Sequence, residues 1–142
     1  MLLASGRKLI SLTGLVLILC AFAASQAKPE EAAGKTAASW LALVDSGKYS
    51  ESWDAAAEYF KSAVTKDQWQ KALQSTRTPL GKLISRKLKS ATYTKSLPGA
   101  PDGEYVVILY DSSFENKQSA VETVVPMLDK DGTWRVSGYF IK

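Results

Sequence analysis

The sequence predicts an α+β domain in which about three helices pack on one face of a curved, four-stranded antiparallel sheet. An N-terminal signal peptide precedes it. Three observations lead there. Apolar residues recur at helical spacing between Glu31 and Leu73. From Lys82 onward the recurrence shortens to strand-like runs, with turn sequences at 97–103 and 131–132. Helices come first and hairpin-linked strands follow, an order that segregates helices to one side of an antiparallel sheet. At 142 residues the chain allows one domain.

The N-terminus reads as an address. Arg7 and Lys8 precede an uncharged run from Leu9 to Ala24, then Ser25-Gln26-Ala27, with small residues where a signal peptidase cleaves. This is the three-part pattern of a secretory signal peptide, so residues 1–27 are expected to be removed and 28–142 to form the domain. The apolar run is short of the roughly 20 residues that span a bilayer. Ser11, Thr13 and Gly14 weaken it further as an anchor. The alternatives are a retained anchor and a lipid on Cys20, where the bulky Leu19 departs from the small residue usual before a lipidated cysteine. Beyond residue 27 there is no cysteine, and Asn116 begins no glycosylation sequon. A bacterial periplasm or exterior suits such a chain better than a disulfide-rich secretory route.

Residues 28–142 keep all 14 acids and 16 of the 18 bases, a net charge of +2. So small an excess gives no reason to expect nucleic acid as a partner. The expected partner is an envelope protein or a small ligand, with membrane contact only through the N-terminal segment.

The first helix is expected from Glu31 to Ser46, with Ala33, Ala37, Trp40, Leu41 and Val44 on one face. Glu30 and Glu31 favour its positive N-terminal end, and Gly47 falls where a left-handed cap would sit. A second helix is expected after Ser50, burying Trp53, Ala56, Ala57 and Phe60. A third follows Thr65-Lys66-Asp67-Gln68, a capping-box pattern, and turns Trp69, Ala72 and Leu73 inward. Pro79 and Gly81 end the helical half.

Strands are expected at about 82–95, 104–114, 120–128 and 133–141. The second is apolar on both faces from Tyr105 to Tyr110, which reads as a central strand. Residues 97–103, with two prolines and two glycines, form a stiff connection, and 113–118 a polar loop. Pro126 points to an edge position or a bulge in the third strand. Asp131-Gly132 is a strong hairpin signal.

Four stretches, taken together, resemble a bacterial family, domain of unknown function 4019. They are Leu83-Ile84-Ser85-Arg86-Lys87-Leu88, the loop Leu97 to Tyr105, Phe114-Glu115-Asn116-Lys117, and Asp131-Gly132-Thr133-Trp134-Arg135-Val136-Ser137-Gly138-Tyr139. The resemblance covers about residues 30–142 and implies no catalytic residues. The element order is also similar to the cone-shaped fold of nuclear transport factor 2 and ketosteroid isomerase. That fold hosts enzymes, ligand binders and interaction modules, so it fixes no function.

Chemistry is narrowed by what is missing. With no histidine and no cysteine beyond residue 27, Ser-His-Asp and Cys-His sites are excluded. Zinc, copper and iron lose their usual ligands. No Gly-x-Gly supports a phosphate loop, and no cofactor is implied. Asp129-Lys130-Asp131-Gly132 echoes the start of a calcium loop but lacks its later ligands, so it reads as a hairpin turn. Asp111 shares a strand face with Tyr105, Val107 and Leu109. If that face lined the concave side of the sheet, Asp111 could transfer protons; otherwise it is a solvated strand-end acid.

The binding candidates are Arg86, Lys87 and Lys89, with Tyr105 and Tyr110. Together with Lys82 and Lys95, the three bases could meet an anionic envelope polymer or lipid headgroups, or guard an exposed edge against strand pairing. Trp40, Trp53, Trp69 and Trp134 suggest a shared core where helices meet sheet, or an aromatic ligand cage. The first functional reading is a non-enzymatic binding module. A histidine-free isomerase or hydrolase using Asp111 is the second, and a structural envelope protein the third. A closed apolar pocket around Asp111 would favour the enzyme, and a filled interior the module.

Overall fold

Helix α1 spans Pro29–Asp45, with Ala33, Ala37, Trp40, Leu41 and Val44 buried as one stripe. A computed structural model describes residues 27–142. The expected signal peptide, apart from Ala27, lies outside the described residues. Gly47, at φ 73°, ends α1. Its N–H donates to the Val44 carbonyl at 3.0 Å, and the Lys48 N–H to the Leu43 carbonyl at 2.9 Å. That crossed pair satisfies carbonyls the helix would otherwise leave open, and it needs a left-handed residue at position 47.

The second helix expected from the sequence is two. α2 covers Tyr49–Asp54 and α3 covers Glu58–Ala63. The break falls at Ala56 and Ala57, both fully buried. Ala57 leaves helical geometry, and its N–H donates to the Val136 carbonyl at 2.8 Å on the sheet. Two methyl side chains let the backbone come that close. Nor is Ser50 the N-cap, because the turn closed by Gly47 leads straight into Tyr49. α4, Lys66–Thr76, starts as expected. The Gln68 N–H bonds the Thr65 hydroxyl at 3.2 Å, and the Gln68 side chain accepts from the Thr65 N–H at 3.1 Å. A single 3₁₀ turn, Thr78–Leu80, carries Pro79 into the sheet.

The strands are β1 (Leu83–Thr94), β2 (Tyr105–Phe114), β3 (Lys117–Leu128) and β4 (Trp134–Ile141). They form an antiparallel meander in the order β1-β2-β3-β4. The polar stretch 113–118 is not a loop. Phe114 pairs with Lys117, so only Glu115 and Asn116 turn the chain, and backbone pairing carries the strands through polar side chains. Pro126 lies in a central strand, and the bulge alternative is the one realised. Pairing with β4 shifts between Val125 and Pro126, leaving Ser137 as the extra residue. Within residues 97–103, Pro98 and Gly99 (φ 77°) occupy the middle of a turn closed from the Ala100 N–H to the Leu97 carbonyl at 3.2 Å. The hydroxyls of Tyr59 and Tyr105 tie this loop down at the Gly99 and Pro101 carbonyls, at 3.2 and 2.5 Å.

All the helices lie on one face, so inward sheet residues Val106, Ile108, Tyr110, Val124, Val136 and Tyr139 meet the α1 stripe. Trp40 and Trp69 are buried there, 6.0 Å apart between ring centroids. Tyr139 meets Trp40 edge-on at 5.3 Å, and Phe60 meets Trp69 at 4.9 Å. Trp53 and Trp134 are only partly buried against this cluster. Buried indoles need acceptors, and fully buried Ser52 supplies both. Its carbonyl accepts from Trp40 Nε1 at 2.8 Å and its hydroxyl from Trp69 Nε1 at 2.9 Å. No helix among the described residues is long and apolar enough to cross a membrane.

Two outcomes are expected. Ser52→Ala strands the Trp69 N–H in the core and should cost about 1–3 kcal/mol, against less than about 0.5 kcal/mol for exposed Ser119→Ala; urea unfolding compares them. In the β3–β4 turn, Arg135 bonds Asp131 at 2.9 and 2.8 Å. Those bonds, with the Thr133 N–H, pull the Asp131 carboxyl from its ordinary 3.8 to about 2. A depressed folded pKa means the contribution is complete above the unfolded value and lost as pH falls through the folded one. Protection of the turn amides, relative to their intrinsic exchange rates, should therefore fall as pH drops from about 4 to about 2, and Asp131→Asn should remove that dependence.

Candidate functional site

The deepest polar feature sits where α1 ends over the sheet. Inward alternation on β3 places Glu122 between Ala120 and Val124, and its side chain is fully buried. Arg86 stands on the inward face of β1, paired with Ser112 of β2. Its guanidinium makes two forks. Nε and Nη2 donate to Glu122 Oε1 and Oε2 at 2.7 and 3.0 Å. Nη1 and Nη2 donate to Asp45 Oδ2 and Oδ1, the last residue of α1, at 2.7 and 3.0 Å. Glu122 also accepts from Ser112 Oγ at 2.5 Å and from the Tyr139 hydroxyl. Arg77 completes the group. It donates to Asp45 at 3.3 Å and to the Gly81 carbonyl at 2.6 Å, and lies 4.5 Å from the centre of the Phe114 ring.

Two arginines face two carboxylates, so the cluster is neutral in sum. Burial works against the Arg86 charge, yet the bonds from Asp45 and Glu122 outweigh it and hold the guanidinium above its ordinary pKa. Burial first, and then the Glu122 charge, pushes the Tyr139 phenol up. Tyr139 therefore stays a hydrogen-bond donor. Every carboxylate oxygen here is engaged by a donor, so the arrangement holds elements together rather than presenting a base. Among the described residues no group of three or more His, Cys, Asp or Glu side chains could hold a metal ion.

The sequence candidates scatter. Asp111 is not on the face that the helices cover. The inward residues of β2 are Val106, Ile108, Tyr110, Ser112 and Phe114, so Asp111 faces outward with its side chain 58% exposed, and Lys89 Nζ is 3.9 Å away. Tyr105 packs under the 97–103 loop and is 1% exposed. Tyr110 is buried on the core side, 6.0 Å from the Arg86 guanidinium. Arg86 is committed to its ion pairs, whereas Lys87 and Lys89 are exposed. Asp129 and Asp131 of the calcium-like stretch are both taken by Arg135. Glu122, Asp45 and Tyr139 were not among the candidates. The one signal that could have found Glu122 is its parity with Ala120 and Val124, an acid on the inward face of a central strand.

A groove of about 580 Å³ lies between α4 and the end of β4. Trp69, Ala72, Leu73, Tyr139, Phe140 and Ile141 give it an apolar lining. Of its titratable groups, Tyr139 has its hydroxyl turned to Glu122 and Lys142 stands at the end. β4 is an edge strand. Ala57 covers it at Val136, and the groove borders its final residues.

Truncating Arg86 to Met should cost about 3–5 kcal/mol by stranding Glu122. Adding Glu122→Leu should recover part of that loss, whereas Lys87→Met should change stability by less than about 0.5 kcal/mol. A double-mutant cycle in urea measures the coupling.

Against known sequences, the family described as "Protein of unknown function (DUF4019)" matches residues 36–139, nearly three quarters of the chain. No curated protein matches. No solved structure matches.

Proposed function

We propose that this chain, which belongs to the DUF4019 family, is a non-enzymatic, exported binding module of the bacterial envelope. Its site is the groove between α4 and the end of β4, and its ligand an extended apolar segment of a partner protein. The observation that carries this reading is the pairing of a filled interior with an open apolar groove at a sheet edge. The space a cone-shaped enzyme would use for substrate is occupied by Trp40, Trp69, Phe60 and Tyr139 and by the Arg86 ion pairs. The groove offers Phe140, 61% exposed, beside a strand edge. An extended segment can add there to the backbone while its side chains enter alternate apolar pockets. No acid and base face each other across the groove, which counts against proton-transfer chemistry in it.

The enzyme reading through Asp111 has no comparable support. That carboxylate is solvated on the outer face, with a lysine rather than an apolar wall beside it.

The test is crosslinking in cells. A photoreactive phenylalanine analogue at position 140 should trap one discrete envelope protein. The adduct should disappear when Ala72→Glu puts a charge into the groove from an exposed helical position. The same analogue at Lys130, outside the groove, should trap nothing comparable. No adduct at 140, or one that Ala72→Glu leaves unchanged, would overturn the proposal.

A further inference from the structure

A second surface lies at the opposite edge of the sheet. No acid occurs between Asp67 and Asp102, while Lys71, Arg77, Lys82, Arg86, Lys87, Lys89 and Lys95 do. Arg77 and Arg86 are spent inside on carboxylates. Lys82, Lys87, Lys89 and Lys95 remain exposed on and beside β1. The acids bordering them are few. Asp111 is 3.9 Å from Lys89, Glu115 accepts from the Lys82 backbone N–H at 3.2 Å, and Glu104, which adjoins Lys95 at the end of the β1–β2 ladder, accepts from the Tyr93 hydroxyl at 2.8 Å. Among the described residues Lys82, Lys87 and Lys95 form no salt bridge.

The same strand holds two of the protein's most exposed large aliphatics, Ile84 at 64% and Leu88 at 59%. β1 shifts register twice, at Ile84 and at Lys89. Lys87, Leu88 and Lys89 are exposed in succession: Lys87, opposite Asp111, faces away from the helices, Leu88, opposite Tyr110, faces their side yet stays exposed, and Lys89 is the extra residue at the second shift.

We propose that the β1 edge is a docking surface for an anionic lipid bilayer, the lysines meeting lipid phosphates and Ile84 and Leu88 entering the interfacial layer. Charge complementarity carries the choice of occupant. An acid-poor, lysine-rich edge gains attraction from each base placed near anionic headgroups, and exposed aliphatics beside those bases have apolar depth to enter. The register shifts weigh against an acidic peptide added as a further strand, because bulges interrupt the regular ladder such a strand would extend. Lys95, at the far end, sets the length of the surface.

The proposal is tested on the full chain by co-sedimentation with vesicles of phosphatidylcholine, with and without phosphatidylglycerol. Residues 1–26 are identical in every sample, and lipid is titrated so that no sample is fully bound; differences between variants then report the β1 edge. Wild type should partition more strongly onto the anionic vesicles, and added salt should weaken it. Each lysine near the surface contributes about fivefold in partitioning. Lys82→Gln/Lys87→Gln/Lys89→Gln should therefore weaken anionic binding by about a hundredfold, and Lys87→Arg/Lys89→Arg should preserve it. Ile84→Ser/Leu88→Ser should reduce binding on both vesicle types. These side chains are exposed, and unchanged thermal unfolding of each variant confirms an intact fold. A triple variant that binds as wild type does, or a wild type indifferent to phosphatidylglycerol, would overturn the proposal. So would lysine-dependent binding to polyglutamate without binding to anionic vesicles, which would assign the edge to an acidic protein.

Discussion

One guanidinium ties the two layers together. Arg86, on an edge strand, reaches Glu122 across the sheet and Asp45 at the end of α1. Moving such charges out of water costs several kcal/mol per ion, and the interaction returns this only when geometry is good and the remaining hydrogen-bonding positions are filled. Both conditions hold at Arg86 and Glu122, whereas Arg77 Nε is buried without a partner. The forks are bidentate, and Ser112 and Tyr139 take up the rest of Glu122. Arg77 and Arg86 also stand at the negative end of α1, where a helix favours cations. The helix can shift on the sheet only by breaking these bonds, so its end is pinned by directional contacts rather than by apolar burial alone.

The aromatic cluster depends on that pin. Tyr139 serves both systems, its hydroxyl on Glu122 and its ring against Trp40. Trp40 leads to Trp69 and Phe60, and Ser52 satisfies both indole N–H groups. Polar network and apolar core thus share residues and are packed as one unit. Such an interior leaves little room for a ligand. The proposed binding is accordingly placed at the surface, on the two opposite edges of the sheet.

Those edges differ in chemistry. The β4 edge is apolar and concave beneath α4. The β1 edge is basic and bulged, with few acids to neutralise it. Two strands separate them, about 14 Å across the sheet at ordinary strand spacing. Under the two proposals, an apolar protein segment on one edge and a bilayer on the other would be held at once, with the partner close to a membrane surface.

The sequence by itself determined the order of elements, the α1 stripe, the capping box at Thr65, the left-handed stop at Gly47 and the hairpin at Asp131-Gly132. Each is local, decided by side-chain spacing or by backbone angles within a few residues. The family resemblance was likewise legible, in the loop Leu97 to Tyr105 together with the segment Asp131 to Tyr139. Tertiary structure decided what local signals cannot hold. Ala57 left its helix because a carbonyl of Val136, far along the chain, offered a better partner. Asp111 turned outward because helices cover the other face, and a face is chosen only when layers pack. Arg86, one base among several on a charged strand, differs from Lys87 and Lys89 because its planar fork matches two carboxylates brought from α1 and β3. Glu122 alone hinted at that, an acid on the inward face of a central strand. Where its partner lay was a matter of three distant segments meeting, and no spacing along the chain records such a meeting.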